Sequence, residues 1–265
     1  MISPLRNTIV AAATAAAVVG SSPADAGPRI ADDQAIRSIV LVHGAFADGS
    51  GWRGVYDELT ARGYRVAIVQ NPLTSFEDDV NATRRILARQ DGPSILVGHS
   101  YGGSVITEAG TEPNVAGLVY VSALAPDVGE STGDQFAEIP APKVFVIEPG
   151  ADGFGFVNRK LFKVGFAGDT SDPDAAFLRD SQVPINMAIF GTRLTQAAWR
   201  NKPSWAVVAT EDRAIDPRLL RQQAERIGAE IAEVEGSHVV FLTQPIAVAD
   251  IIDRAARTVS QAATR

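Results

Sequence analysis

From residue 38 onward, short apolar runs alternate with amphipathic stretches. Ser38-Ile39-Val40-Leu41-Val42 is continuous and apolar, the pattern of a strand covered on both faces. Trp52, Val55, Tyr56 and Leu59 then recur at helical spacing across 52–61, and Gly63 stops that helix. The pattern next predicts a strand over 64–69, a helix over 78–90 with Val80, Ile86 and Leu87 facing inward, and a short strand over 94–97. A helix after Gly102 and a strand over 115–121 complete a second strand–helix–strand unit. Alternation of this kind predicts an α/β fold with a mostly parallel sheet and helices on both faces, because right-handed crossovers place them there.

Between 126 and 201 the rhythm lapses. Gly and Asp are frequent, and a hairpin of 143–147 with 154–158 is the clearest element. This stretch reads as an insertion. The core pattern then resumes with a strand over 205–209, a helix over 217–227, a strand over 231–234 and a closing helix over 245–260. The expected organisation is a core built from 27–125 and 202–265, with about six strands, interrupted by the insertion at 126–201.

The first 26 residues follow a different rule. Arg6 precedes an unbroken small-apolar run from Thr8 to Val19, Gly20-Ser21-Ser22-Pro23 breaks it, and Ala24-Asp25-Ala26 forms a small-x-small site. That is the layout of a signal peptide cleaved after Ala26, and the apolar run is too short to span a bilayer. A periplasmic or secreted address is expected. The chain has no Cys, so neither disulfides nor lipid attachment through a lipobox Cys is available. Its formal charge is −7, and removing Arg6 and Asp25 with the leader leaves that unchanged. A net-acidic surface repels phosphate backbones and anionic lipids, so neither nucleic acid nor stable membrane association is expected. Nothing in the pattern specifies an oligomeric state.

Gly98-His99-Ser100-Tyr101-Gly102 is a G-x-S-x-G. A chain with 23 Gly can produce those five residues by accident, but here an apolar strand precedes them and Gly102-Gly103 opens a helix. A Ser in so tight a turn is forced into a strained backbone that lifts its hydroxyl above the sheet, and close packing leaves no room for side chains two residues to either side. The helix N-terminus beneath adds partial positive charge where an oxyanion would form. The second backbone donor such a site needs is expected from His43-Gly44-Ala45-Phe46, at the C-terminal end of the first strand. The predicted donors are the amides of Ala45 and Tyr101, with Phe46 in reserve for Ala45.

Only three His exist. His99 lies inside the turn and flanks the Ser, His43 belongs to the donor loop, and His238 remains, on the loop after the 231–234 strand. That position completes the order Ser, acid, His. For the acid, the loop after Val207-Val208-Ala209 offers Glu211, Asp212 and Asp216. Asp216-Pro217 reads as a helix cap followed by Pro at the first helical position, which leaves Glu211 and Asp212.

Val42-His43-Gly44-Ala45-Phe46 with Trp52 downstream, Gly98-His99-Ser100-Tyr101-Gly102-Gly103, Thr210-Glu211-Asp212 and Gly236-Ser237-His238 together resemble the α/β-hydrolase superfamily. Among its branches they are most similar to small esterases of the plant methylesterase and hydroxynitrile lyase type, over nearly the whole mature chain and least in 126–200. The resemblance implies an α/β-hydrolase fold, a nucleophile–acid–base set of Ser100, Asp212 and His238, and a cap over the active site formed by the insertion. The lyases of that branch carry Thr at the position of Gly44 and Lys at that of Val239, so the resemblance points away from lyase activity. Relatives using Asp as nucleophile are disfavoured by Ser100.

The expected chemistry is ester hydrolysis through an acyl-enzyme, on a small-molecule ester. Lactone, amide or carbon–carbon bond hydrolysis with the same groups is the alternative, followed by a non-catalytic binding role. No cofactor is required, and three dispersed His offer no zinc spacing. Phe154, Phe156, Phe162, Phe166, Met187, Ile189, Phe190 and Trp199 are candidate linings of an apolar pocket under the cap. The leader makes a direct prediction: intact mass of the exported protein corresponds to a chain starting at Gly27, and retention of Met1 on that form rules the leader out.

Overall fold

The computed structural model describes residues 35–263, so the expected leader lies outside the described residues. The first strand–helix–strand unit comprises β1 (Ser38–Val42), α1 (Arg53–Ala61) and β2 (Arg65–Val69). After it come α2 (Phe76–Leu87), β3 (Ser94–His99), α3 (Gly102–Ala109) and β4 (Val115–Val121). The stretch that loses the rhythm holds β5 (Ile147–Pro149), β6 (Phe154–Val157), α4 (Phe162–Phe166), α5 (Asp172–Asp180) and β7 (Ile185–Asn186). The chain closes with β8 (Ser204–Ala209), α6 (Pro217–Arg226), β9 (Glu230–Val234), α7 (Val240–Thr243) and α8 (Pro245–Ala263).

Six strands form one sheet in the order β2-β1-β3-β4-β8-β9, and every pairing in it is parallel. This is the α/β-hydrolase fold. The four inner strands are the continuous apolar runs of the sequence: all of β1, β3 and β8 is buried, and β4 is buried except at Ala116. The edge strands β2 and β9 are partly exposed, as their mixed composition requires. Helix α1 packs against α8, and α2 against α3. Among the described residues no helix is long and apolar enough to cross a membrane.

Several boundaries move for local reasons. Helix α2 starts at Phe76 rather than 78, because the Ser75 hydroxyl accepts from the Asp78 N–H at 3.0 Å and caps the helix two residues earlier. Trp52 falls in a 3-10 turn (Gly49–Trp52) ahead of α1, yet its side chain is still fully buried. Between β4 and β8, Phe145 N–H closes a turn onto the Pro142 carbonyl at 2.9 Å, which removes residues 143–146 from the expected first hairpin strand. A short third strand, β7, adds antiparallel to β6.

Helix α3 shows how tightly the centre is packed. All eight of its residues are buried, and a Cβ on Gly103 would sit 2.2 Å from the Leu124 carbonyl oxygen. Neither backbone can retreat without moving the sheet. Gly103→Ala is therefore expected to lower stability by about 2 kcal/mol or more in denaturant unfolding, and an unchanged midpoint contradicts the packing argument.

Candidate active site

Because every strand of the main sheet points the same way, the loops after β1, β3, β8 and β9 emerge at one edge. They carry Ala45, Ser100, Asp212 and His238 respectively. Ser100 has φ 54°, in the left-handed region that costs an L-residue about 1–3 kcal/mol. The glycines around it explain how the turn closes. A Cβ on Gly98 would lie 2.5 Å from the Gly102 oxygen, and one on Gly102 would lie 2.8 Å from the His43 oxygen. Gly44 is equally constrained, since its Cβ would sit 2.8 Å from Ser100 Cβ.

The three side chains singled out in the sequence come together. Ser100 Oγ lies 2.8 Å from His238 Nε2, and His238 Nδ1–H donates to Asp212 Oδ2 at 2.7 Å. The other Asp212 oxygen accepts from the backbone N–H groups of Ala214 and Ile215 at 2.8 and 2.9 Å. His238 and Asp212 are buried, whereas Glu211 is exposed and its backbone N–H donates to Gly236 O. Asp216 caps α6, accepting from Arg218 N–H at 2.9 Å, as its position before Pro217 suggested.

Ala45 and Tyr101 line the same cavity as Ser100. His43 aims the Ala45 amide: its Nδ1–H donates to the Gly44 carbonyl at 2.9 Å, and its Nε2 accepts from the Asn71 N–H at 2.9 Å. In a trans peptide the C=O and the following N–H point in opposite directions, so holding the Gly44 oxygen against the ring turns the Ala45 N–H away from it. Burial pushes the His43 pKa down, which keeps one nitrogen free to accept. Phe46, the reserve donor, has φ 63° and puts its ring in the cavity wall.

His99 does more than flank the serine. Its Nε2–H donates to the His238 carbonyl at 2.8 Å, tying the strand that carries Ser100 to the loop that carries the imidazole. Full burial, with His238 alongside, drives its pKa well below the usual value. It is therefore neutral. Tyr101 is anchored by its phenol, which donates to Asp79 Oδ2 at 2.7 Å, while Leu73 N–H donates to Asp79 Oδ1 at 2.8 Å. Asp79 is fully buried, and burial pushes its pKa up to about 6 despite those two bonds.

The cavity over Ser100 and His238 has a volume of about 280 Å³. Of the eight residues proposed from sequence to line it, only Phe166 and Phe190 do. Phe162 and Ile189 are buried in the main hydrophobic core, Phe156 is turned to solvent, and Trp199 Nε1–H is spent on the Pro126 carbonyl at 3.0 Å. Phe154, in β6, and Met187, in a 3-10 turn after β7, do not line it either. Phe136, Phe145 and Ile147 line it instead, and the turn at 142–145 is what redirects Phe145. Asp79 was equally hidden in the sequence, because an acid in the first turn of a helix reads as a dipole complement.

A parallel sheet whose central strand ends in a strained serine turn defines the α/β-hydrolase class. The chain belongs to the alpha/beta hydrolase family, whose profile matches residues 39–251. It is 29% identical over 248 residues to a pyrethroid hydrolase of Sphingobium wenxiniae, covering 82% of this chain and 86% of that protein. An extracellular alpha/beta-hydrolase from a Paenibacillus species superposes with a TM-score of 0.69 at 22% identity, covering 82% of this chain and 98% of that one. Polyneuridine aldehyde esterase superposes with a TM-score of 0.71 at 18% identity over 83% of this chain and 98% of its own. These structures share the fold of the plant-esterase branch.

Asp79 has a consequence for pH dependence. Its pKa is raised in the folded state, so the native protein holds a proton that the unfolded chain has released between about pH 4 and 6. Stability attributable to this group is present below that window and is lost as pH rises through it. Asp79→Asn removes the loss. The variant is expected to gain roughly 2–3 kcal/mol over wild type between pH 4 and 7, read as the difference between two urea-unfolding series. A difference that does not grow across that window overturns the assignment of a buried, elevated carboxyl.

Proposed function

We propose that this chain is a serine hydrolase that cleaves uncharged, hydrophobic carboxylic esters through an acyl-enzyme. The observation that carries the reading is the continuous hydrogen-bonded line from Asp212 through His238 to Ser100, opening into an apolar cavity. In the proposed route Ser100 gives its proton to His238 Nε2 as Oγ attacks the ester carbonyl. The amides of Ala45 and Tyr101 meet the charge that develops on the carbonyl oxygen. Asp212, itself held by two backbone N–H groups, stabilises the imidazolium. The proton passes to the departing alcohol, and water deprotonated by the same imidazole then releases the acid and regenerates Ser100.

The cavity supports the substrate class. Among the described residues six aromatic side chains line it (Phe46, Tyr101, Phe136, Phe145, Phe166 and Phe190), and no Lys, Arg, Asp or Glu does. Enclosing a charged substituent there would strip its hydration without supplying a partner. The same lining disfavours cyanohydrin cleavage, which needs a cation beside the leaving cyanide. The Sphingobium relative's name as a pyrethroid hydrolase agrees with a hydrophobic ester. The cap is proposed to be the 126–201 stretch and the core 27–125 with 202–265, supported by the separate antiparallel sheet inside the former. Export is proposed from the leader pattern, in keeping with the extracellular Paenibacillus neighbour.

The test is a substitution series with a covalent probe. Ser100→Ala is expected to lower kcat on an uncharged aryl ester by about 10⁶-fold, and Asp212→Asn by about 10⁴-fold. A fluorophosphonate is expected to label wild type on the Ser100 peptide and to leave Ser100→Ala unlabelled. Full turnover by Ser100→Ala, or no labelling of folded wild type, overturns the reading. A panel of lactones, anilides and β-diketones run alongside the esters identifies the bond cleaved, and a faster rate on any of them replaces the ester assignment.

A further inference from the structure

We propose that Asp79 is a positioning residue for this reaction: its carboxylate, shared between the Tyr101 phenol and the Leu73 amide, sets the place of Tyr101 and hence of the oxyanion donor that Tyr101 supplies. The inference rests on the serine-hydrolase reading above.

Tyr101 directly follows Ser100 and stands at the N-cap of α3. Its ring sits edge-on to Phe76 and to Phe190, with centroids 6.4 and 6.2 Å away. Those contacts fix the plane of the ring but offer its hydroxyl nothing. Among the described residues the hydroxyl reaches only Asp79, at 2.7 Å, so the side chain is tethered at both ends, by the backbone turn and by the carboxylate. Tethered in this way, the residue has no free torsion through which its backbone can drift.

A carboxylate is the side chain that fits, because the two donors approach different oxygens. Oδ2 takes the phenol, and Oδ1 takes the N–H of Leu73, a buried residue with φ 58°. The Leu73 carbonyl in turn accepts from Asn186 N–H in β7 at 2.9 Å. Asp79 thus links the serine turn to the loop after β2, and the Leu73 backbone carries the link on to β7. No Lys or Arg pairs with it among the described residues, so its burial is not explained by an ion pair. An apolar pair at these two positions would pack the same space without desolvating a carboxylate. What the polar pair adds is placement. An oxyanion donor must sit within about 2.7–3.1 Å of the developing charge, and a displacement of about 1 Å can cost on the order of 100-fold.

The test measures kcat and KM of the full chain on p-nitrophenyl butyrate for Asp79→Ala, Tyr101→Phe, the double variant and Asp79→Asn, with thermal unfolding of each. Both single variants are expected to lose about 10-fold or more in kcat with KM held within about twofold. The double variant is expected to be no slower than the slower single, since both singles break the same Asp79–Tyr101 bond. Asp79→Asn recovers most of kcat, because its amide can still accept from Leu73 and donate to the Tyr101 oxygen. Unchanged kcat in the single variants, or losses that multiply in the double, overturns the inference. Should Asp79→Ala fail to fold, Tyr101→Phe still decides, as it removes a single oxygen: full kcat there is a negative result. Ser100→Ala separates the two levels. An inactive Ser100→Ala beside a fully active Tyr101→Phe discards this inference alone, whereas an active Ser100→Ala discards the reading beneath it.

Discussion

The structure depends on one strained residue. Ser100 occupies a left-handed backbone conformation between β3 and α3, and such a conformation persists only where the surroundings leave no alternative. Here the surroundings do so by excluded volume. Gly98, Gly102 and Gly103 each lack space for even a methyl group, and every residue of β3 and α3 is buried. The strain is held by a strand and a helix that are buried throughout. Relaxing it would open the centre of the sheet.

Parallel topology then does the assembling. In an antiparallel sheet, consecutive strand ends alternate between edges. Here the ends of β1, β3, β8 and β9 share one edge, so residues more than a hundred positions apart in sequence meet within hydrogen-bond distance. Behind them lies a layer of buried polar groups that do not face the cavity. His43 orients the Gly44 peptide, His99 holds the His238 backbone, and Asp79 holds the Tyr101 phenol. Burial keeps both histidines neutral, so neither adds positive charge beside His238.

The stretch between β4 and β8 meets the site by aromatic packing and by one carboxylate. Phe145 and Phe166 stack with centroids 6.2 Å apart, and Phe166 stands edge-on to the His238 ring at 5.0 Å. A second contact comes from Asp169, in the loop after α4, which accepts from the hydroxyls of Ser237 and Thr243 on either side of His238. Phe166 and Asp169 thus pack the stretch between β4 and β8 directly onto the loop bearing the imidazole.

How much of this was legible depends on the range of the interaction that decides each feature. Apolar runs at 38–42 and 115–121, and Gly at 98, 102 and 103, are local signals, and they specified the strands, the parallel sheet and the serine turn. Ser100 and His238 were also readable as candidates, because each follows a predicted strand, whereas the loop after 205–209 left Glu211 and Asp212 open and only the family resemblance pointed to Asp212. Which rings line the cavity was not readable, since hydrophobic residues in the insertion carry no mark of whether they face the cavity or their own packing. Phe145 and Phe136 face it, while Phe162 and Ile189 do not, and a turn closed by Pro142 makes part of that difference. Asp79 is the sharpest case. Its sequence neighbours Glu77 and Asp78 are exposed acids of the same helical turn, and only the meeting of α2 with the start of α3 turns the third acid inward onto a tyrosine. Periodicity and steric exclusion act between near neighbours and are written in the chain; the facing of individual side chains across elements is settled only when those elements pack.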